Sequence, residues 1–307
     1  MSIFRPALCA SSALALLFLP ACAGAQPVAP AAETATAQAE PNGPAMWKVA
    51  DEDTTIYLFG TVHALPDGID WLRPDIAEAL EASDTLVTEI LPGEMADPSI
   101  QMAIAGKAML PADQSLRQIL TEDDRATYET ALGSLGLPPG AFDRFEPWFA
   151  GMTMAVLPLI QQGYNPESGV EKIIDTQAGP DRARGALESV ESQIAIFDTL
   201  SQDAQIAFLM SSARNPLGLV EMMDQMVGEW MEGDADELAT IMNMGLTDPA
   251  LASALLYDRN ERWAEWIDER LDTPGAVFMA VGAGHLAGDK SVQDFLTARG
   301  IAVTRVR

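Results

Sequence analysis

The chain has 307 residues, 48% of them hydrophobic, and its 45 acidic against 18 basic side chains give a formal net charge of −27. That charge repels phosphate backbones and anionic headgroups, which excludes nucleic acid and peripheral binding to an acidic membrane as expected partners. The 2 cysteines, Cys9 and Cys22, both lie near the N-terminus, so the rest of the chain has no disulfide framework and relies on its hydrophobic core.

Residues 1–25 read as an export signal, with Arg5 as the positive end and an apolar run over residues 7–19. The run falls short of the ~20 apolar residues that a spanning helix needs. Ala21-Cys22-Ala23 offers a signal peptidase site. Leu19-Pro20-Ala21-Cys22 also resembles a bacterial lipobox, which would make Cys22 an acylated N-terminus. Lipoprotein and plain secretion both stay open, and either places the protein in the periplasm or cell envelope. A lipid anchor would be the sole membrane contact. Residues 26–45 are rich in Ala, Pro, Gln and Thr without an apolar period, and read as a flexible linker. Residues 46–307 are left for the folded domain.

Residues 47–49 and 54–59 predict a hairpin around Asp51-Glu52-Asp53. The second arm, Ile56-Tyr57-Leu58-Phe59, runs into Gly60-Thr61-Val62-His63. Pro74 opens a helix with Ile76, Ala77 and Leu80 at helical spacing, ending near Ser83-Asp84. Residues 85–91 form the next strand. Strand, helix, strand with short links makes a βαβ unit, whose strands run parallel. Their carboxyl ends then share the sheet edge where open α/β sheets bind ligands. His63 and Glu89 are therefore predicted neighbours.

Residues 95–260 read as a large, mainly helical insertion. Helices are expected at 113–120, 122–135 and 148–161. Ser168-Gly169-Val170-Glu171 fits a capping box that opens another helix and explains Glu171. A short strand is expected over 184–188, then a helix over 191–200 capped by Ser189, and two or three helices over 202–244. The Met-rich segments read as core filler. A helix over 257–271 carries Arg259 and Asn260. The strand at 276–281 leads into Gly282-Ala283-Gly284-His285, and a helix over 291–299 and a strand over 301–306 close the chain. The fold class is α/β: a central mixed sheet with a βαβ start and a helical insertion.

The protein has 2 histidines, and both follow a strand in the pattern Gly-x-x-His. A glycine ahead of each lets the backbone turn sharply beside a ligand. Each histidine alone is explained by capping its strand, but the repeat points to one shared site. Two imidazoles with a carboxylate suit a divalent metal with open positions for water.

Residues 56–63, Thr88-Glu89, Gly169-Val170-Glu171, Leu187-Glu188 with Ser192-Gln193, Tyr257-Asp258-Arg259-Asn260 and 281–286 together resemble the TraB/GumN family. The Tiki metalloproteases, which depend on manganese or cobalt, look like relatives with the same paired motifs. The resemblance implies that His63 and His285 are metal ligands or catalytic residues, with Glu89, Glu188, Arg259 and Asn260 around them. Asp258 departs from the Glu expected there. The expectation is an exported metal-dependent hydrolase, a peptidase acting on a peptide or small molecule. His63, Glu89 and His285 would hold manganese, cobalt or zinc, Glu188 would be the general base, and Arg259 or Asn260 would stabilise the oxyanion. Two alternatives stand beside it: a metal-free hydrolase using histidine as base, as in erythromycin esterase-like relatives, and a non-catalytic envelope protein that binds a peptide.

Overall fold

The computed structural model describes residues 43–245 and 249–306. The export signal, Cys22 and most of the expected linker lie outside the described residues. The strands are β1 (Met46–Ala50), β2 (Thr54–Thr61), β3 (Leu65–Pro66), β4 (Thr85–Thr88), β5 (Tyr164–Asn165), β6 (Ala183–Ala186), β7 (Gly275–Gly282) and β8 (Val303–Arg305). Six of them form the central sheet in the order β6-β4-β7-β2-β1-β8, while β3 pairs with β5. β2, β7, β4 and β6 pair in parallel, and β1 is antiparallel to β2 and β8. The sheet is mixed and the fold is α/β, as the sequence predicts.

β2 and β4 flank the helix Pro74–Glu81 in the chain and run the same way, yet they do not touch. β7 lies between them and pairs with both. A strand from near the end of the chain fills the gap, and its carboxyl end leads to His285. The three strand ends that lead to His63, His285 and Glu89 are therefore adjacent. β4 is shorter than the expected 85–91. It stops at Thr88, whose hydroxyl donates to the Ile90 carbonyl at 2.6 Å and turns the chain ahead of Pro92.

β2 and β7 are apolar almost throughout because both sheet faces are covered. On one face Phe59, Phe278 and Ala280 pack against Ile76, Ile174 and Trp230, from the helices Pro74–Glu81, Val170–Ala178 and Gly218–Glu232. On the other, Ile56, Leu58, Val277 and Met279 meet Trp263, Ile267 and Leu296, from Asp258–Leu271 and Val292–Ala298. Each of the larger aliphatic and phenyl side chains among these contributes about 1.5–3 kcal/mol by leaving water. The helices Glu122–Ser134, Pro147–Gln161 and Gln202–Arg214 build a separate core around Tyr128, Met154 and Leu209. β6 returns to the sheet inside the stretch expected as one insertion, so the helical part comes in two runs. Among the described residues no helix is long and apolar enough to cross a membrane.

The helix expected over 113–120 shrinks to Leu116–Ile119. Ser189 caps Val190–Asp198 and forms a reciprocal box with Ser192. The box expected at Ser168 does not form. Ser168 Oγ donates to Asp67 at 2.5 Å, and Gly169 stands at the N-cap without a side-chain bond. Its role there is spatial, since a Cβ at 169 would overlap the His63 carbonyl. With Val170 N–H bonded to the Val62 carbonyl at 2.9 Å, this contact docks the helix start onto the end of β2.

Candidate active site

His63 is predominantly buried, and the docked helix places Glu171 behind it. Glu171 Oε1 lies 2.5 Å from His63 Nδ1 and accepts from Thr61 Oγ1, also at 2.5 Å. Because the carboxylate holds the Nδ1 proton, His63 Nε2 is left with its lone pair. That nitrogen is buried and has no hydrogen-bond partner. Burial pulls the His63 pKa down, but the charge and hydrogen bond of Glu171, helped by Glu89, outweigh it and raise the pKa above its ordinary value.

Glu89 is buried just past β4. Its Oε1 accepts from Gly282 N–H at 2.8 Å, and its Oε2 from Gln193 Nε2 at 2.9 Å and Arg259 Nη2 at 2.6 Å. Burial disfavours its charge. The Arg259 charge foremost, together with the Gly282 N–H, holds the carboxyl well below the usual carboxylate range. Glu188 is spent on the same guanidinium: its oxygens take Arg259 Nε at 2.9 and 3.0 Å and Nη2 at 2.8 Å. Arg259 Nη1 donates to the Leu255 carbonyl at 3.0 Å, and the guanidinium stacks over Trp263, 4.8 Å from the ring centroid. Asp258 is exposed and accepts from Ser253 Oγ, away from the cluster.

Arg259 Nη1 also lies 3.0 Å from His285 Nε2. A guanidinium only donates, so Nε2 accepts, and His285 Nδ1–H donates to Asn260 Oδ1 at 2.5 Å. Asn260 is oriented by Nδ2, which donates to the Lys290 carbonyl at 2.8 Å. Lys290 is held at φ 59, a left-handed backbone that non-glycine residues adopt at a cost. Burial, then the nearby Arg259 charge, hold the His285 pKa well below its ordinary value, so it is neutral. Its ring packs against Trp263 in a tilted arrangement, with centroids 4.2 Å apart and 43° between the planes.

These groups converge over Gly282, where a Cβ would stand 3.1 Å from Glu89 Oε1 and 3.6 Å from both His63 Nε2 and His285 Cδ2. The missing methyl leaves a hollow between the carboxylate and the imidazoles. A family model described as the TraB/PrgY/gumN family matches residues 45–305. The chain belongs to that family. Searches of the curated proteins and of the solved structures found no match.

All six expected residues of this TraB/PrgY/gumN member gather at one sheet edge. His63 and Glu89 face the hollow. Glu188 and Asn260, expected as base and oxyanion donor, have their polar atoms committed to Arg259 and to His285 and Lys290. Arg259, the other expected oxyanion donor, has its donors taken by Glu89, Glu188, Leu255 and His285. Glu171, Gln193 and Thr61 complete the site. Gln193 had a signal in the Ser192-Gln193 that follows Glu188. Glu171 had one in Gly169-Val170-Glu171, but its spacing from Ser168 also matches a helix cap, which supplied a local explanation for it.

A divalent ion was expected on His63, Glu89 and His285. Two donors suit one: His63 Nε2 is unpartnered with a carboxylate behind its other nitrogen, as metal-bound histidines commonly are. The third does not, because Arg259 caps the His285 Nε2 lone pair and adds a positive charge beside it. Among the described residues no group of three or more His, Cys, Asp or Glu side chains has the geometry to hold an ion. The arrangement does not fit a three-ligand centre.

Proposed function

We propose that this TraB/PrgY/gumN protein is an exported hydrolase of amide or ester bonds, a peptidase in the first instance, with His63 as its general base. The observation that carries this reading is the unpartnered, buried Nε2 of His63 beside Glu89 Oε1, with Glu171 on the opposite ring nitrogen. A water in the hollow over Gly282 would donate one hydrogen to His63 Nε2 and the other to Glu89 Oε1. Its lone pairs would then face outward toward a carbonyl carbon. As the water oxygen attacks, the proton passes to Nε2, and Glu171 stabilises the imidazolium that forms. The same nitrogen returns the proton to the leaving nitrogen or oxygen as its bond to the carbonyl carbon breaks. Glu171, Arg259 and Asn260 are positioning residues in this scheme. Glu171 fixes the His63 tautomer, Arg259 fixes Glu89, and Asn260 fixes His285.

One observation favours a second reading. With neutral histidines, the carboxylates of Glu89, Glu171 and Glu188 outnumber the guanidiniums of Arg259 and Arg262, so the cluster is anionic and attracts a cation. Manganese, cobalt or zinc would enter if Arg259 released His285.

A peptide library and a series of p-nitrophenyl esters, followed by mass spectrometry and absorbance, test the proposal. Wild type should release product and His63→Ala should not. Turnover that survives His63→Ala sinks the assignment.

A further inference from the structure

His63 and Glu89 line two cavities that share no other residue. The larger, about 310 Å³, lies beside Glu171, Lys172 and Asp175. The smaller, about 80 Å³, has polar walls only where it meets the catalytic cluster and is apolar beyond it. Four methionines line this second space: Met222, Met223 and Met226 on Gly218–Glu232, and Met242 on Ala235–Gly245. Residues 222 and 226 are one helical turn apart, so two thioethers stand one above the other on the same face. The sequence reads these methionines as core filler, yet Met222 and Met226 are only partly buried. A methionine wall is deformable and takes apolar groups of differing shape.

Resting on the hydrolase reading, we propose that the methionine-lined cavity is the specificity pocket of the site and takes a short apolar group, such as an aliphatic side chain or acyl chain, next to the carbonyl that His63 addresses. The leaving portion then lies along the larger cavity. Gly284 belongs to this pocket as well as to the Gly-x-x-His motif. A side chain at 284 would overlap the methyl end of Met242, so the glycine lets that thioether fold back against the wall. Burying each added methylene should raise kcat/KM about fourfold (about 0.8 kcal/mol) until the cavity is full.

The test is methyl NMR of the protein labelled with [methyl-13C]methionine, titrated with hexanamide or acetamide, together with kcat/KM for p-nitrophenyl acetate, butyrate and hexanoate. Hexanamide should shift the Met222, Met226 and Met242 methyls saturably, and acetamide should not. Met226→Trp should abolish the saturable shift and flatten the chain-length preference, while the remaining methyl dispersion reports an intact fold. Gly284→Ala, which displaces only the flexible end of Met242, should weaken hexanamide binding by at least threefold. No saturable shift at these methyls, or equal shifts across all methionines, overturns the pocket. Ester turnover without those shifts leaves hydrolysis standing and removes the pocket; saturable shifts without turnover of any ester or peptide do the reverse.

Discussion

Glu171→Gln tests the base assignment most directly. The substitution keeps the shape and an acceptor oxygen for Thr61 and His63, and removes only the charge. At 2.5 Å, with the side chains of His63 and Glu171 only 15% and 24% exposed, the lost contact is charge-assisted and weakly screened. Such a hydrogen bond is worth about 1.5–3 kcal/mol. Because the imidazolium forms only as the proton is taken, that energy is lost mainly from the transition state. At 1.36 kcal/mol per tenfold, kcat should fall about 10- to 150-fold. The ionisation that raises activity with pH should also move to lower pH, because Glu171 is the chief group that raises the His63 pKa. With only 2 histidines in the chain, imidazole NMR can follow this without a substrate. In wild type one ring should titrate above the ordinary histidine value and the other well below it. In Glu171→Gln the upper titration should drop. An unmoved upper titration with an undiminished rate would refute the pairing and, with it, His63 as base.

Arg259→Met should be far more damaging to the fold, since it leaves Glu89 as a buried carboxylate without its cation and Glu188 with only the exposed Arg262, 3.6 Å away. The expected loss is about 3–5 kcal/mol in urea unfolding; a loss below 1 kcal/mol would show that the clamp is dispensable. Gly169→Ala should push the start of Val170–Ala178 away from the His63 carbonyl and cost about 1–3 kcal/mol, with a kcat loss that tracks the His63 NMR shift. Unfolding free energy against pH should fall on the acid side. Glu89 has a depressed folded pKa, so its stabilisation is present above the unfolded carboxylate value and is lost as pH drops through the folded one. The depressed His285 pKa adds to the loss below the unfolded histidine value, while His63, whose pKa is raised, stabilises below that value and loses its contribution as pH rises through the folded pKa. EDTA followed by desalting should leave activity within about twofold if the water-based scheme holds, and restoration by added manganese would favour the second reading.

The parts of the site that follow from chain direction were legible in the sequence. A strand ending at His63 and a parallel strand ending at Glu89 must bring the two to one sheet edge, and the second Gly-x-x-His announced that His285 would join them. The strand order was not legible, because β7 enters between β2 and β4 from more than 180 residues away and nothing local encodes that insertion. The contacts of Glu188 and Asn260 were not legible for a different reason. Their identities are compatible with catalysis, but what each side chain touches depends on Arg259 and Lys290, whose positions come from tertiary packing. Glu171 shows the limit most sharply. Ser-x-x-Glu is a local pattern with a local explanation, and it was overridden when Gly169 let the helix start close against His63.

Charge balance at the sheet edge ties these roles together. A buried carboxylate such as Glu89 persists in its ionised form only beside a compensating cation, and Arg259 is that cation. The guanidinium cannot serve Glu89 without also meeting His285, whose Nε2 it caps, so His285 is kept neutral and turned away from proton transfer. Glu171 is left without a share of Arg259, and its charge acts on His63 alone. Two histidines in matching sequence motifs are thereby driven in opposite directions, His63 toward proton acceptance and His285 toward a fixed neutral wall. The difference originates in the charge each ring faces, Glu171 for His63 and Arg259 for His285, and exchanging that environment, rather than the histidines themselves, should exchange their behaviour.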